Sequence, residues 1–445
     1  MMCLKPSAYY PNMSSLWFKS IDNTPLVLWR VIFGFLIAAE AFGAIITGWV
    51  HDVLIAPSFT FNFIGFEFLQ PLPGWGMYAY FFAMGSFGIM VLLGYRYRWA
   101  MFGFALLWSG VYLMQKTAYN NHYYLLMLLS WMMVLLPAHK TLSLDAHRLK
   151  THQYTMPQWV KILFVAQVWI VFSYAAMAKI YPGWLDGSVM AIFMKSKINY
   201  PLIGPLLQAP WLQTGITYGG VLFDALIIPM LLWRRTRNFG FVLSLVFHLF
   251  NSVVFQIGIF PYMSIAFSLF FFPSSVLKKR FGLKRPIAEQ QEPLKAKSWI
   301  PWVIMAYLVI QILLPLRHYL IQDSVLWTEE GHRLSWRMML RSRSGQIAFW
   351  TIDHASGTKQ TYPIKPLLTQ KQLKMLPAHP DFIWQMAQKI KTLEAAKGRE
   401  VSVYASGKVK VNGGDYQPFI DSEIDLAQIP WNAWGHQPWI LPSPF

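Results

Sequence analysis

Two things are scarce in this 445-residue sequence: cysteine and charge. Its single cysteine is Cys3, so no intramolecular disulfide can form and no cysteine-based metal site is possible. Charged residues make up 13% of the chain, against about 25% in a typical soluble domain, whereas 55% of the residues are hydrophobic. The cysteine count neither requires nor excludes an oxidising compartment, but the shortage of charge argues against a soluble protein.

Long apolar runs occupy the first 320 positions. A helix needs about 20 apolar residues to cross ~30 Å of hydrocarbon. We predict about nine spans, at 26–48, 76–94, 99–114, 122–137, 162–180, 215–233, 239–257, 261–277 and 299–316. No apolar core typical of a cleaved signal precedes Pro25, so we expect the first span to serve as the signal too. The predicted fold class is therefore mainly α, with residues 1–316 forming a polytopic transmembrane helix bundle.

Lysine and arginine lie mainly in loops on one side of these spans. The basic loops are 95–98, 138–161, 234–237 and 278–285. The opposite loops carry only Lys116, Lys195 and Lys197. Because cytoplasmic loops are enriched in Lys and Arg, we predict a cytoplasmic N-terminus and an extracytoplasmic C-terminus. This location of the +18 net charge argues against nucleic-acid binding.

The composition changes sharply after Leu316. Alternating polar and apolar residues predict strands at 334–342 and 345–353, and an amphipathic pattern predicts a helix over 380–398 that ends at Gly398. Two or three further strands are predicted within 400–421. We therefore predict that residues 317–445 form a compact extracytoplasmic α+β domain.

Several polar side chains fall within or at the ends of the predicted spans, where a charged group costs about 2.5–3.5 kcal/mol to insert. Glu40 and Asp224 could be protonated or hydrogen-bonded to a neighbouring helix. His248, with Asn251 one turn later, could be a satisfied core histidine or a reactive one. Lys179, at the end of its span, is interpreted as an interfacial anchor.

The stretch "QKTAYNNHYY" (115–124) is a polar interruption between two apolar runs. Lys116 at the outer end of a helix could simply extend its amine to the membrane surface. Its neighbours Asn120, Asn121 and His122 offer more hydrogen-bonding capacity than an anchor needs, and Asn121 could also cap the next helix. A lysine in an apolar pocket loses its proton more easily, so Lys116 could equally be a base.

Several segments follow one another along nearly the whole chain in a recognisable order: "LWRVIFGFLIAAE", "LMQKTAYNNHYYL", "YAAMAKIYPGWLDG", "FHLFNSVVFQIGIFPYM", "WTEEGHRLSWRMMLRSRSG" and "YQPFIDSEIDLAQIPWNAWG". This ordered series resembles the vitamin K-dependent γ-glutamyl carboxylases and their bacterial relatives, which share a horizontally transferred transmembrane domain. The resemblance is sharpest at "LMQKTAYNNHYYL".

The resemblance implies a lyase-type enzyme in which Lys116 is the catalytic base that deprotonates reduced vitamin K or a related naphthoquinol. Oxygenation of that quinol to its epoxide then removes a proton from a peptide glutamate, and CO2 adds to the carbanion. The residues implied to line the quinol or substrate pocket are Thr60, Asn121, His122, His248, Asn251 and Tyr262. The implied partners are the lipid bilayer, the lipid-soluble quinol and a glutamate-containing peptide or protein; no metal and no nucleic acid are implied.

The sequence departs from the family pattern at Thr60 and Asn62, where many relatives carry a histidine nearby, and it cannot form the lumenal disulfide of the animal enzymes. One alternative is therefore a quinol epoxidase without glutamate carboxylation. Another is a transporter or scaffold in which Glu40, Asp224 and His248 line a conduit. No inverted repeat is visible, which weighs against a transporter.

The predicted orientation is testable with reporter fusions. A reporter that is active only in the periplasm, fused after Phe445, should be active, because the basic loops keep the N-terminus inside and an odd number of spans takes the C-terminus outside. A cytoplasm-only fluorescent reporter at the same position is the control. Fluorescence from that fusion, with a silent periplasmic reporter, would contradict the predicted orientation.

Overall fold

The computed structural model describes residues 16–150, 152–284, 299–338 and 341–444. Cys3 and the segment before the first helix up to residue 15 lie outside the described residues. The helices of the first part are α1 (Thr24–Ile46), α2 (Gly76–Leu93), α3 (Tyr97–Met114), α4 (Asn121–Leu135), α5 (Leu144–Arg148), α6 (Gln158–Ala178), α7 (Pro182–Leu185), α8 (Ser188–Lys195), α9 (Gly204–Leu207), α10 (Pro210–Leu232), α11 (Arg237–Phe255), α12 (Phe260–Phe267), α13 (Ser274–Arg280) and α14 (Ile300–Leu316). Strands β1 (Ser20–Asp22) and β2 (Thr155–Pro157) pair antiparallel beside them.

Six of these helices are long and apolar enough to cross a membrane: α1, α2, α6, α10, α11 and α14. The other three predicted spans coincide with α3, α4 and α12. Helix α3 has 18 residues but includes Arg98, α4 has 15 residues, and α12 has eight residues followed by a short 3₁₀ turn. The chain is thus a helical membrane protein, but the predicted count of nine spans is not confirmed.

Helices α3 and α4 run between the same two ends of the bundle. At one end, the Asp145 carboxylate accepts hydrogen bonds of 2.9 Å from the backbone N–H groups of Arg96 and Tyr97, where α3 begins. The Tyr97 hydroxyl donates to the Met133 carbonyl at 2.6 Å, near the end of α4. The other ends of α3 and α4 meet at the turn that contains Lys116. This pair of helices therefore carries the polar turn to one end of the bundle.

Small residues allow α1 and α2 to pack closely. A Cβ atom at Gly34 would lie 2.3 Å from the backbone nitrogen of Leu92, and one at Gly88 would lie 2.7 Å from that of Ala38. Near the start of α1, Trp29 stacks on Phe267 of α12, with ring centroids 4.5 Å apart. Tight helix contacts through glycine are typical of membrane helices, because lipid offers no hydrophobic driving force for association.

The C-terminal region contains an antiparallel sheet with the strand order β4-β3-β5-β6. Its elements are α15 (Val325–Thr328), β3 (Arg343–Asp353), β4 (Lys359–Tyr362), α16 (Gln370–Met375), α17 (Pro380–Ala395), β5 (Val401–Val411) and β6 (Gln417–Pro418). Strand β3 pairs along its whole length with β5, and α17 packs its apolar face on the sheet. The predicted strand at 345–353 and the further strands within 400–421 are confirmed. The helix predicted over 380–398 is also present, but it ends at Ala395 and residues 396–398 form a turn.

The strand predicted at 334–342 is wrong for its described residues. Residues 334–336 form a turn, residues 337–338 have no regular structure, residues 339–340 lie outside the described residues, and β3 begins only at Arg343. The backbone here bonds to side chains of the helical part: Leu334 N–H donates to the Tyr119 hydroxyl at 2.7 Å, and the Arg337 carbonyl accepts from Asn121 at 2.9 Å. Trp336 stacks on Tyr124. This segment therefore packs against the start of α4 and the turn before it, and does not pair with a neighbouring strand.

The segment after α1 joins the helical part to the C-terminal region. Residues 51–55 form a short π-helix, and the following chain lies against α16 and α17. Phe61 stacks on Phe382 with ring centroids 4.6 Å apart, and Gln385 donates to the Asn62 carbonyl at 3.0 Å. Because Phe61 belongs to the same apolar core as the sheet, the two parts share packing at this junction.

The α1–α2 contact is testable with two glycines of the same helix. Gly34→Ala should lower the unfolding temperature of the detergent-solubilised protein, because its new Cβ meets Leu92 backbone and overpacking costs about 1–3 kcal/mol. Gly43→Ala is the matched control, since nothing lies within 4 Å of a Cβ there. Equal melting temperatures for the two variants would show that the helices do not pack in this way.

Candidate functional site

Lys116 lines a cavity of about 220 Å³ between the helical part and the C-terminal region. We call this cavity the Lys116 pocket. Its charged lining residues are Lys116, Arg317, Glu329, Glu330, Arg333 and Asp381. Apolar side chains such as Phe63, Ile64 and Leu334 complete the wall. The pocket thus combines apolar and densely charged lining residues.

The backbone around Lys116 is held by pairing with the segment that follows α1. Helix α3 ends at Met114, and Gln115 adopts an extended conformation. The Lys116 N–H donates to the Phe61 carbonyl at 2.6 Å, and the Gln115 side chain accepts from Phe61 N–H at 3.1 Å and donates to the Val53 carbonyl at 3.3 Å. These contacts explain why the polar stretch forms a rigid turn instead of continuing the helix.

The two asparagines that follow Lys116 have different tasks. The cap of α4 is Asn120, whose side chain accepts from Tyr123 N–H at 2.7 Å, so the capping role predicted for Asn121 is wrong. Asn121 is buried, donates to the Arg337 carbonyl and accepts from the Tyr119 hydroxyl at 3.0 Å. Asn121 therefore ties the turn to the segment of residues 333–338.

The Lys116 amine forms an ion pair with Asp381, at the start of α17. The same carboxylate oxygen, Oδ2, lies 2.8 Å from Nη1 of Arg333. The Phe382 ring lies beneath both cations, 5.4 Å from Lys116 Nζ and 5.2 Å from Arg333 Cζ. Lys116 is only 3% exposed, so it does not extend to the membrane surface as an anchor would.

Burial and neighbouring charges set the protonation of this pair. Burial lowers the pKa of the Lys116 amine to about 8; Asp381 opposes this shift and Arg333 adds to it. Burial raises the pKa of the Asp381 carboxyl, but Arg333 and Lys116 outweigh burial and hold that pKa well below its usual range. Asp381 is therefore ionised at neutral pH, and Lys116 is within reach of losing its proton.

The other two carboxylates of the pocket already have partners elsewhere. Glu329 is paired with Arg341 and lies 3.6 Å from Nε of Arg343. Burial raises the pKa of Glu329, but these arginines outweigh burial and hold the pKa well below its usual range. Glu330 accepts from Gln437 N–H at 2.7 Å and lies 2.8 Å from His436 Nδ1. Asp381 is thus the pocket carboxylate that pairs with the cavity-facing Lys116 and Arg333.

Five charged residues that line the Lys116 pocket were not identified from the sequence as site residues: Arg317, Glu329, Glu330, Arg333 and Asp381. In the sequence around it, each of them is an ordinary charged residue. Asp381 lies in the first turn of α17, where an acidic residue is expected because the helix dipole favours it. No local signal could have joined Asp381 to Lys116, which lies 265 positions earlier.

A second cavity, of about 90 Å³, brings together several residues implied by the family resemblance. We call it the aromatic cavity. Its polar lining residues are His122, Lys179, Asp224, His248 and Asn251, and its apolar wall includes Phe172, Phe247 and Phe260. The His122 ring stacks on Phe260 with centroids 4.0 Å apart. His248 is 1% exposed, and its Nδ1 has no hydrogen-bond partner among the residues that the structure describes.

Lys179 and Asp224 form a buried ion pair at this cavity. The interpretation of Lys179 as an interfacial anchor is therefore wrong, because its side chain is only 10% exposed and its amine is paired within the protein. For Asp224, the structure supports the alternative of a bond to a neighbouring helix. Glu40 likewise accepts a 2.6 Å hydrogen bond from the Tyr123 hydroxyl of α4 and lines a third cavity of about 230 Å³.

Thr60 and Tyr262 line neither the Lys116 pocket nor the aromatic cavity. Thr60 is buried, and its hydroxyl lies 3.1 Å from Asn62 Oδ1 and 3.1 Å from Gln70 Oε1. The Tyr262 side chain is exposed, and its hydroxyl lies 2.9 Å from Ser252 Oγ. The residues implied by the resemblance are thus distributed over distinct places, with Lys116 in one cavity and His122, His248 and Asn251 in another.

The fold and the Lys116 pocket define a class: a helical membrane protein whose buried, ion-paired lysine is enclosed by a sheet-containing region. The model of the HTTM domain family matches residues 18–275, more than half of the chain. The model of the vitamin K-dependent gamma-carboxylase lumenal domain matches residues 296–444. No solved structure matches the chain. The chain belongs to the vitamin K-dependent γ-carboxylase family.

The Lys179–Asp224 pair is testable by removing one partner or both. Lys179→Met or Asp224→Leu alone should cost about 3–5 kcal/mol of the free energy of unfolding, because each leaves an uncompensated buried charge. The double variant Lys179→Met/Asp224→Leu should recover most of that loss. Unfolding temperatures in detergent provide the measurement.

Lys397→Met is the control for this comparison, since the Lys397 side chain is 56% exposed and its buried partner Glu394 also pairs with Arg399. The variant therefore leaves Glu394 with a partner, and the loss of an exposed cation costs about 0–1 kcal/mol, so it should melt close to wild type. If the double Lys179/Asp224 variant is less stable than either single variant, the two side chains do not form a buried pair.

Proposed function

We propose that this protein is a membrane-embedded γ-glutamyl carboxylase-like enzyme that couples oxygenation of a reduced naphthoquinone to its epoxide with CO2 addition at a peptide glutamate. The observation that carries the proposal is the placement of Lys116: a nearly unexposed amine in a cavity between the helical part and the region matched as a carboxylase lumenal domain. A catalytic base needs a pKa near the working pH and a site from which water is largely excluded.

In this proposal Lys116 accepts the proton from the hydroxyl of the quinol. Burial brings the pKa of Lys116 to about 8, so about a tenth of the amine is neutral at pH 7. An ordinary lysine, with a pKa near 10.4, would be neutral in less than about a thousandth of molecules. When bound, the reduced naphthoquinone and O2 supply the strong base that no side chain could provide for a glutamate C–H.

The charged side of the Lys116 pocket suits the carboxylate of a peptide glutamate. Arg317 and Arg333 both line the cavity, whereas Glu329 is paired with Arg341 and Glu330 is hydrogen-bonded to His436 and Gln437. The Nε atom of Arg333 is buried without a hydrogen-bond partner among the described residues, so it retains a donor for a substrate. Guanidinium groups bind carboxylates well because their donors match carboxylate geometry.

We propose that the aromatic cavity contributes to binding of the quinol. Its stacked aromatic walls suit a flat ring, and His248, whose Nδ1 lacks a partner, together with His122 and Asn251 could supply polar contacts. The segment of residues 333–338 connects the two cavities, since Leu334 lines one and Met338 lines the other. Asn121 would then act indirectly, by holding the Arg337 carbonyl of that segment.

We further propose that α3, α4 and α12 also lie within the membrane, and that the C-terminal region is extracytoplasmic with a cytoplasmic N-terminus. The membrane placement is supported by the course of α3 and α4, which run between the same two ends of the bundle. The orientation is supported by the match of residues 296–444 to a lumenal domain. The Lys116 pocket would then open near the outer surface, where both a lipid-soluble quinol and a peptide can arrive.

The purified protein in detergent should convert a reduced naphthoquinone and O2 into the epoxide, and Lys116→Ala should lower this rate by at least about a hundredfold, because the loss of a general base typically costs 10²–10⁴. Epoxide is measured by chromatography. Lys195→Ala is the matched control, as Lys195 is an exposed lysine in α8 and lines neither cavity.

Wild-type protein that makes no epoxide from any reduced naphthoquinone would contradict the enzyme proposal and favour the transporter or scaffold alternative. Epoxide formation without transfer of labelled CO2 into a glutamate peptide would instead favour the quinol epoxidase. Epoxide formation that persists in Lys116→Ala would show that another residue is the base.

A further inference from the structure

We propose that Asp381 is a positioning residue for Lys116, and that its carboxylate, held by Arg333, orients the amine and sets the pH range in which Lys116 can act as a base. This inference rests on the proposed function of Lys116 as the base. It concerns a residue of the C-terminal region, whereas Lys116 belongs to the helical part.

The contact is direct and enclosed. Lys116 Nζ and Arg333 Nη1 both bind Oδ2 of Asp381, and side-chain exposure is 2% for Lys116 and 6% for Asp381. Oδ1 of Asp381 is buried without a hydrogen-bond partner among the residues that the structure describes. One oxygen therefore fixes two cations, while the other remains an available acceptor on a residue that lines the pocket.

The burial of the amine makes this carboxylate necessary. An isolated lysine that is removed from water loses its proton readily, and its flexible chain of four carbons leaves the amine free to turn away. Asp381 counteracts both effects, because its charge stabilises the ammonium form and its position directs the amine into the cavity. Asp381 thus keeps the Lys116 amine oriented in the resting enzyme. As a consequence, the pKa of Lys116 is higher than burial alone would give.

The other charged and titratable groups around the pair come from three parts of the chain. Glu67, in the segment after α1, raises the pKa of Lys116, whereas Arg333 lowers it. His379, next to α17, lowers the pKa of Asp381 together with Arg333 and Lys116. Glu329, Glu330 and Arg317 line the same pocket. The pKa of Lys116, which burial lowers to about 8, lies near neutrality, so its protonation changes in the working pH range.

The pair also couples the two parts of the molecule. Lys116 follows α3, whereas Asp381 lies at the start of α17 and Arg333 on the segment that follows α15. The amine therefore has this partner only when α17 is docked on the helical part, through contacts such as Phe61 with Phe382. Correct docking of the C-terminal region is thus a condition for the protonation behaviour of Lys116.

The proposal predicts opposite shifts for two substitutions in the pH profile of kcat/KM for the quinol. Asp381→Asn removes the negative charge that raises the pKa of Lys116, so the acidic limb should move to lower pH by about 1–3 units. Arg333→Gln removes a positive charge that lowers the same pKa, so its limb should move to higher pH. Asp381→Glu retains the charge and should keep the limb close to wild type.

Asp52→Asn is the control, because Asp52 is exposed and lines neither cavity. A role limited to stability would lower the yield or the melting temperature of both variants but would not move their limbs in opposite directions. A folded Asp381→Asn variant with an unmoved limb would overturn the proposal. If Asp381→Asn does not fold, the test rests on Arg333→Gln. An acidic limb that does not move to higher pH in that variant would also overturn the proposal.

A second measurement does not depend on quinol activity. Cyanic acid adds to a neutral amine to give a urea, so the carbamylation of Lys116, followed by peptide mass spectrometry, reports the neutral fraction. At pH 7 a fall of one unit from a pKa of about 8 raises that fraction about fivefold in Asp381→Asn. The exposed Lys195 in the same sample is the internal reference.

Unchanged labelling of Lys116 in a folded Asp381→Asn variant would overturn the role of Asp381 even if epoxidation is observed. If the wild type makes no epoxide but the labelling responds as expected, the proposed function fails and the pairing of Asp381 with Lys116 stands. The two failures are thereby distinguishable.

Discussion

The ion pair between Lys116 and Asp381 is the interaction on which the arrangement of the site depends. Leaving a buried charge unpaired costs about 3–5 kcal/mol, so the buried Lys116 ammonium depends on Asp381, and Asp381 is held in addition by Arg333. The pair therefore requires the C-terminal region to dock where it does, with Phe382 beneath both cations and Arg333 on the same carboxylate. Docking, orientation of the amine and its acid–base behaviour follow from one contact.

Buried ion pairs also occur at other places in this chain, although it has few charged residues. Lys179 pairs with Asp224 beside the aromatic cavity, Lys278 of α13 pairs with Asp22 of β1, and Glu329 pairs with Arg341. In each case the partners come from different elements, so the pair fixes how those elements meet. Burying a charge is unfavourable unless it is paired and hydrogen-bonded, which explains why isolated buried charges are avoided.

The separation of the two cavities gives each a distinct chemical character. The Lys116 pocket concentrates charge at the junction with the C-terminal region, whereas the aromatic cavity is enclosed largely by rings of the helical part. The segment of residues 333–338 contributes to both, and its backbone is held by Tyr119 and Asn121 instead of by a sheet. The two cavities therefore present chemically different surfaces, one densely charged and one largely aromatic.

The sequence alone determined the membrane class, the position of Lys116 at a helix end, and the strands and helix of the C-terminal sheet, because apolar run length and residue periodicity are local properties. It did not determine the partner of Lys116, the residue that caps α4 or the backbone conformation of residues 334–338. Those were decided by contacts between distant segments: Asp381 lies 265 positions from Lys116, and Asn121 and Tyr119 take the backbone groups that a strand would have used. Tertiary structure decided them because a buried charge or backbone group must find a partner in space, wherever that partner lies in the chain.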